Sequence, residues 1–213
     1  MPAKQFQPLP SEYFTKPVIP YLAGPPVDGS RGDSSDRAFA KERMAALSHA
    51  SMVILQAEEL VDLPDCLAPF NHPPLSQVKV VIHLDLVHGL ARDEAGIKYL
   101  AGLNRINAII TVHHHLVTAA RRFGMHSIVR LFIQDGRAVK RGLAVIEKSR
   151  PNAIELMPGI VAAEVSEDFS RLPIPRFAGG LIHNREVLDA VLAAGYKGVS
   201  TSNELLWLEN ARR

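Results

Sequence analysis

Pro175-Arg176-Phe177-Ala178-Gly179-Gly180, followed one helix later by Tyr196-Lys197-Gly198-Val199-Ser200-Thr201-Ser202-Asn203, decides how this chain folds. Each half is a short apolar run that ends in small or hydroxyl-bearing residues. Between them Asn184 can cap a helix from Arg185 to Ala194, and Gly195 can end it. A strand–helix–strand unit of this kind implies parallel strands joined by a right-handed crossover. Two glycines and a Thr-Ser-Asn at the ends of consecutive parallel strands bring bare N–H groups and hydroxyls around one anion. In a (β/α)8 barrel the loops after strands 7 and 8 are the usual seat of a phosphate. The expectation is a barrel that holds a phosphorylated small molecule.

Working outward, the same alternation recurs. Strand patterns cover Pro17–Ala23, Ser51–Leu55, Lys79–Leu84, Asn107–Val112, His126–Ile133, Ala153–Met157, Ile174–Ala178 and Lys197–Thr201. Helix patterns lie between them, over Asp93–Leu103, Leu116–Phe123, Arg137–Lys148, Val161–Phe169 and Arg185–Ala194, with Glu204–Ala211 last. Ser35 or Asp36 can cap a further helix with Ala40, Met44 and Leu47 on its apolar face. Residues 58–69 read as turn and short helix around Pro64. Eight strand units predict the α/β class and a single (β/α)8 TIM barrel with parallel strands over residues 16–213. An open doubly wound sheet is the alternative, but no Gly-x-Gly-x-x-Gly follows the first strand. Residues 1–15, polar and broken by prolines, are expected to be a flexible N-terminal segment. The Pro-, Gly- and Asp-rich stretch from Gly24 to Ser34 reads as a loop on the functional face.

Composition narrows the function. The 213 residues suffice for one full core, and the net charge of +2 does not announce a polyanion partner. The single cysteine, Cys66, excludes an internal disulfide and fits a reducing, cytoplasmic setting. No apolar run approaches the ~20 residues of a spanning helix, so no membrane association is expected.

Functional groups of a barrel sit at the C-terminal strand ends. His83 and Asp85 follow strand 3 two residues apart, which places them on one face if the strand continues. His88 comes shortly after. Arg130 and Glu155 are charges inside apolar strands 5 and 6, and an unpaired charge buried there would be costly. One reading is a structural ion pair of Arg130 with Asp85 or Glu155. The other is a ligand site in which N–H groups of Gly179, Gly180, Ser202 and Asn203 take phosphate oxygens. Arg130 would then hold phosphate or carboxylate, Asp85 and Glu155 would accept from hydroxyls, and His83 and His88 would donate or exchange protons. The run His113-His114-His115 suggests a metal, with Asp85 and Glu155 as further ligands. Consecutive strand residues point to opposite faces, so no metal site is expected. The helix Arg137–Lys148 has Val139, Leu143 and Ile146 on one face and Arg137, Lys140, Arg141 and Lys148 on the other. Arg150 extends the charge. Such a run is either a solvated outer face or a surface for nucleic-acid phosphates.

Six segments together resemble the glycerol-3-phosphate-responsive antiterminator family of bacteria. They are His83-Leu84-Asp85-Leu86-Val87-His88-Gly89, Arg92-Asp93-Glu94, Arg130-Leu131-Phe132-Ile133-Gln134-Asp135, Ile154-Glu155-Leu156-Met157-Pro158-Gly159, Phe177-Ala178-Gly179-Gly180-Leu181-Ile182 and Thr201-Ser202-Asn203-Glu204-Leu205-Leu206-Trp207. The resemblance spans roughly Lys79 to Trp207. It implies a TIM barrel without catalysis that binds sn-glycerol 3-phosphate as effector. It also implies that the loaded protein binds leader mRNA of glycerol-utilisation genes, so that transcription passes a terminator. By position it assigns Gly179, Gly180, Thr201, Ser202 and Asn203 to phosphate, and Asp85 and Glu155 to the glycerol hydroxyls. The chain departs from the family after strand 4, where His113-His114-His115 stands, and at Val129, where Gln is common. A homodimer would lengthen the RNA footprint of so small a barrel, although no interface is visible in the sequence. The rival to a regulator is an enzyme acting on a small phosphorylated substrate with Asp85, Glu155 and the histidines as acid and base.

Overall fold

The computed structural model describes residues 6–26 and 34–213. Eight strands close a parallel barrel in chain order: β1 (Val18–Ala23), β2 (Met52–Gln56), β3 (Lys79–His83), β4 (Ala108–Thr111), β5 (His126–Phe132), β6 (Ala153–Met157), β7 (Arg176–Gly179) and β8 (Val199–Thr201). The outer helices are α1 (Ser34–Ser48), α2 (Leu63–Leu67), α3 (Glu94–Gly102), α4 (Leu116–Arg122), α5 (Gly136–Ser149), α6 (Gly159–Glu164), α7 (Arg185–Ala193), α8 (Glu204–Trp207) and α9 (Glu209–Arg212). This is the expected (β/α)8 barrel. Asp93, Asp135 and Asn184 cap α3, α5 and α7 by accepting from the N–H of Gly96, Ala138 and Val187. Two expected helices are shorter than their patterns. The segment over 161–169 divides into α6 and a 3-10 turn (Glu167–Phe169), and that over 204–211 into α8 and α9.

Strand alternation explains both cores. One face of each strand packs outward under the helices, as Val53, Ile82, Ile109, Ile154 and Val199 do. The other face fills the barrel with Ile19, Met52, Ile54, Val81, Ile110, Ile128, Ala153 and Phe177. β8 is only three residues long, and α9 completes its seam with β1. The buried Asn210 amide accepts from Val18 N–H at 3.0 Å and donates to Val18 C=O at 2.7 Å. Trp207, also buried, donates from Nε1 to Thr201 C=O at 2.8 Å and pins the end of β8.

The N-terminal expectation needs revision. Residues 1–5 lie outside the described residues, but 6–15 are built into the barrel. Leu9 and Tyr13 are each 3% exposed and belong to the interior cluster. Leu9 N–H donates to Asn152 C=O at 2.7 Å, and Tyr13 meets the His126 ring edge-on at 5.8 Å. The physical reason is that a barrel needs its lower end closed. Leu9 and Tyr13 cover apolar side chains there, and hydrogen bonds of Leu9 N–H and Gln7 C=O to Asn152 hold the segment in place. The predicted loop Gly24–Ser34 falls largely on residues 27–33, outside the described residues.

Candidate functional site

The inward positions alternate by two along each strand, so the layer above the apolar interior follows from the register. That layer holds Tyr21 of β1, Gln56 of β2, His83 of β3, Arg130 of β5, Glu155 of β6, Gly179 of β7 and Ser200 of β8. All but Gly179 are polar, and six of them make one network. The Arg130 Nε–H donates to Glu155 Oε2, and the Ser200 hydroxyl donates to Glu155 Oε1. Arg130 Nη1 lies 3.0 Å from His83 Nε2, His83 Nδ1 lies 2.8 Å from the Tyr21 oxygen, and Tyr21 OH donates to Gln56 Oε1 at 2.7 Å. The Arg130 guanidinium carbon sits 5.9 Å from the centre of the Tyr21 ring. Gly179 is required here: a Cβ would come within 2.5 Å of Glu155 Oε1 and would also strike the Ser200 hydroxyl.

A cavity of about 480 Å3 opens directly above this layer. Tyr21, Arg130, Met157, Ser200 and the loops Gly180–His183 and Thr201–Asn203 line it. The two loops treat their backbone differently from ordinary turns. Gly180 and Leu181 both take positive φ, +70° and +58°. Gly180 C=O accepts from Gly159 N–H at 2.8 Å, and the pairing of Gly179 with Ser200 turns the Gly180 N–H toward β8. Thr201 Oγ1 donates to Ile182 C=O at 3.1 Å and accepts from Asn203 N–H at 3.0 Å. The Asn203 amide donates to His183 C=O at 2.9 Å and accepts from Leu205 N–H at 3.1 Å. Among the described residues, the N–H groups of Leu181 and Ser202 and the Ser202 hydroxyl find no intramolecular partner.

The sequence-assigned residues therefore divide. Ser202 and Arg130 border the cavity with donors to spare, and Gly180 borders it as part of the turn. A guanidinium carries five N–H groups, of which one goes to Glu155 and one to His83. Thr201 and Asn203 line the cavity but spend their side chains, and the Asn203 N–H, tying the two loops together. Gly179 makes room for the carboxylate below.

Three assignments change. Glu155 does not face a ligand: it is 0% exposed, and both its oxygens are occupied. The ion-pair reading of Arg130 holds, with Glu155 as partner, because a carboxylate buried in the barrel needs a full set of donors. Asp85 is not on a strand; it sits in a one-turn 3-10 helix (Leu84–Leu86) after β3. There it accepts from the Thr111 hydroxyl at 2.5 Å and from Val112 N–H at 2.7 Å, and so spans β3 and β4 rather than lining the cavity. His88 does not line the cavity; its side chain is 74% exposed and lies 3.8 Å from Glu59.

His83 is buried and held neutral: burial, then the neighbouring Arg130 charge, bring its pKa down to about 4 against the pull of Asp85. His113 stands 4.0 Å from Asp85 and stacks near His115, and no group of three metal-binding side chains occurs among the described residues.

On α5, Arg137, Lys140, Arg141 and Lys148 are exposed and have no acidic partner among the described residues. Arg150 does not extend that face. It is the helix C-cap with φ +55°; its Nη2 donates to Glu147 at 3.0 Å and its guanidinium lies over Phe6. Arg121 is likewise used, donating to the Arg150 C=O at 2.7 Å.

Tyr21, Gln56, Ser200, Leu181 and His183 escaped the sequence reading. Each charged inward residue carried the signal for its neighbours, since positions level with Arg130 and His83 on the other strands share their layer. The chain is similar to three known proteins and matches one family model. A protein of Escherichia coli K12 without an assigned role, YgcP, is 30% identical over 126 residues, which are 59% of this chain and 66% of that protein's length. The crystal structure of the glycerol uptake operon antiterminator regulatory protein of Listeria monocytogenes matches with a TM-score of 0.74 at 28% identity, over 94% of this chain and 98% of that one. An antiterminator-related protein of Thermotoga maritima shares the fold, with a TM-score of 0.70 at 23% identity over 90% and 98% of the two chains. The family model for the glycerol-3-phosphate responsive antiterminator matches residues 37–207, and the chain belongs to that family.

Proposed function

We propose that this protein is a glycerol-3-phosphate sensor that binds leader mRNA when loaded and lets transcription of glycerol-utilisation genes pass a terminator. The phosphate would sit on the N–H groups of Leu181 and Ser202, with the Ser202 hydroxyl and the free N–H groups of Arg130 closing around it. The glycerol end would lie toward Tyr21 and Met157. The observation that carries this reading is the pair of loops after β7 and β8, which line the cavity and whose Leu181 and Ser202 N–H groups have no partner among the described residues. A binding role is supported further because Asp85 and Glu155, the carboxylates best placed for acid–base work, are already committed to hydrogen bonds. RNA phosphates would meet the exposed face of α5 at Arg137, Lys140, Arg141 and Lys148. The protein would act in the cytoplasm, where leader mRNA is made, with the barrel from residue 6 onward as one unit. A homodimer would present two such faces.

Calorimetric titration with glycerol 3-phosphate tests the reading, with glycerol and inorganic phosphate as controls and product analysis of the same samples. Binding that needs both halves of the ligand, without turnover, is expected. Retention of leader RNA should then rise with ligand, and a tenfold rise corresponds to about 1.4 kcal/mol of coupling. Turnover of the ligand would replace the sensor with an enzyme acting on a small phosphorylated substrate.

A further inference from the structure

Arg130 can only donate hydrogen bonds. Its Nη1 faces His83 Nε2 at 3.0 Å, so Nε2 must be the bare, accepting nitrogen. The proton of a neutral imidazole then sits on Nδ1, which faces the Tyr21 oxygen at 2.8 Å. That oxygen accepts from His83, and its own hydrogen goes to Gln56 Oε1 at 2.7 Å. The direction is set at His83: reversing the His83–Tyr21 link would put a hydrogen on Nε2 against the guanidinium.

We propose that Tyr21 and Gln56 are positioning residues for the ligand site: they fix the His83 tautomer, and through it hold the Arg130 guanidinium with its unused N–H groups turned to the cavity. Glu155 alone grips only the Nε side of that group, and a single contact leaves the plane free to rotate. The second grip, through His83, sets the plane. Tyr21 also lies along the guanidinium face, so it limits movement out of plane. Neither residue needs to touch the ligand for this role. The effect on affinity rests on the reading of Arg130 as a ligand contact, whereas the tautomer is a property of the free protein.

The test uses the full-length protein with 15N-labelled histidine, and the His83 signals are identified by their loss in His83→Asn. Long-range 15N–1H correlation should show His83 as the Nδ1–H tautomer. Tyr21→Phe keeps the ring and removes the relay; Gln56→Met keeps the volume and removes the terminal acceptor. Each takes away what holds the Nδ1–H, so part of the His83 population should turn to Nε2–H with the Arg130 guanidinium displaced from it, and glycerol 3-phosphate binding should weaken about tenfold, while the thermal transition stays cooperative. An Nε2–H wild type overturns the proposal. So does a variant whose tautomer or affinity stays within twofold of wild type. Should one variant fail to fold, the other carries the decision. If the wild type binds no glycerol 3-phosphate, the effector assignment fails, and the tautomer shift alone decides for or against the relay.

Discussion

The two sides of the barrel mouth handle their polar groups in opposite ways. After β3 and β4 the groups satisfy each other: Asp85 takes the Thr111 hydroxyl and the Val112 N–H, and Arg92 caps the Asp85 C=O at 2.8 Å. After β7 and β8, side chains tie the loops together, while the Leu181 and Ser202 N–H groups have no partner among the described residues. The difference teaches that charge in the sequence is a poor marker of a ligand contact. A charged side chain near the interior must find partners to be tolerated at all. A small residue in a strained turn can leave donors idle, and idle donors are what an anion requires.

Several variants would break or sharpen that contrast. The largest effect is expected from Arg130→Ala, which strips the cavity of its cation and leaves Glu155 buried without its main partner. Ligand affinity should fall at least about 100-fold, and stability by about 3–5 kcal/mol, as denaturant melts would report. Equal affinity in this variant would move the ligand away from β5. Gly179→Ala forces a methyl into the Glu155–Ser200 contact. A loss of about 2–3 kcal/mol is expected in the same melts, and a neutral result would mean the polar layer is loose.

Acid should act through His83. Its pKa is about 4 in the folded chain, against about 6.5 when unfolded, so the unfolded state takes up the proton first. The stability due to neutral His83 is fully present above pH 6.5 and is lost as pH falls toward 4, by up to about 3 kcal/mol. Comparison with His83→Gln over this range isolates the contribution, and matching curves would refute it.

Ser202→Pro deletes one idle N–H on an exposed turn. It should weaken glycerol 3-phosphate about tenfold in calorimetry while shifting stability by less than about 1 kcal/mol. Asp85→Asn marks the opposite side of the mouth, with binding expected within about twofold of wild type and stability lower by about 1 kcal/mol. A large loss of binding there would erase the distinction between the two sides.

Much of this was legible in the sequence, and the failures have a common cause. The eight strands, the Asn184 cap and the placing of the loops after β7 and β8 follow from local patterns, because period-two runs and an Asn cap are decided by near neighbours. Pairing across strands is not local. Nothing near Glu155 announces that Ser200 and Arg130 will use both its oxygens, and nothing near Tyr21 places it beside Gln56. Asp85 was placed level with His83 because the apolar run continues, whereas the strand ends at His83. Residues 6–15 looked loose because their few apolar side chains have partners only across the barrel.

Those same residues give the molecule a sealed base. With the inward side chains of the strands filling the interior and Leu9 and Tyr13 seated beneath them, the barrel is a cup rather than a tube. Whatever enters the cavity must leave by the way it came.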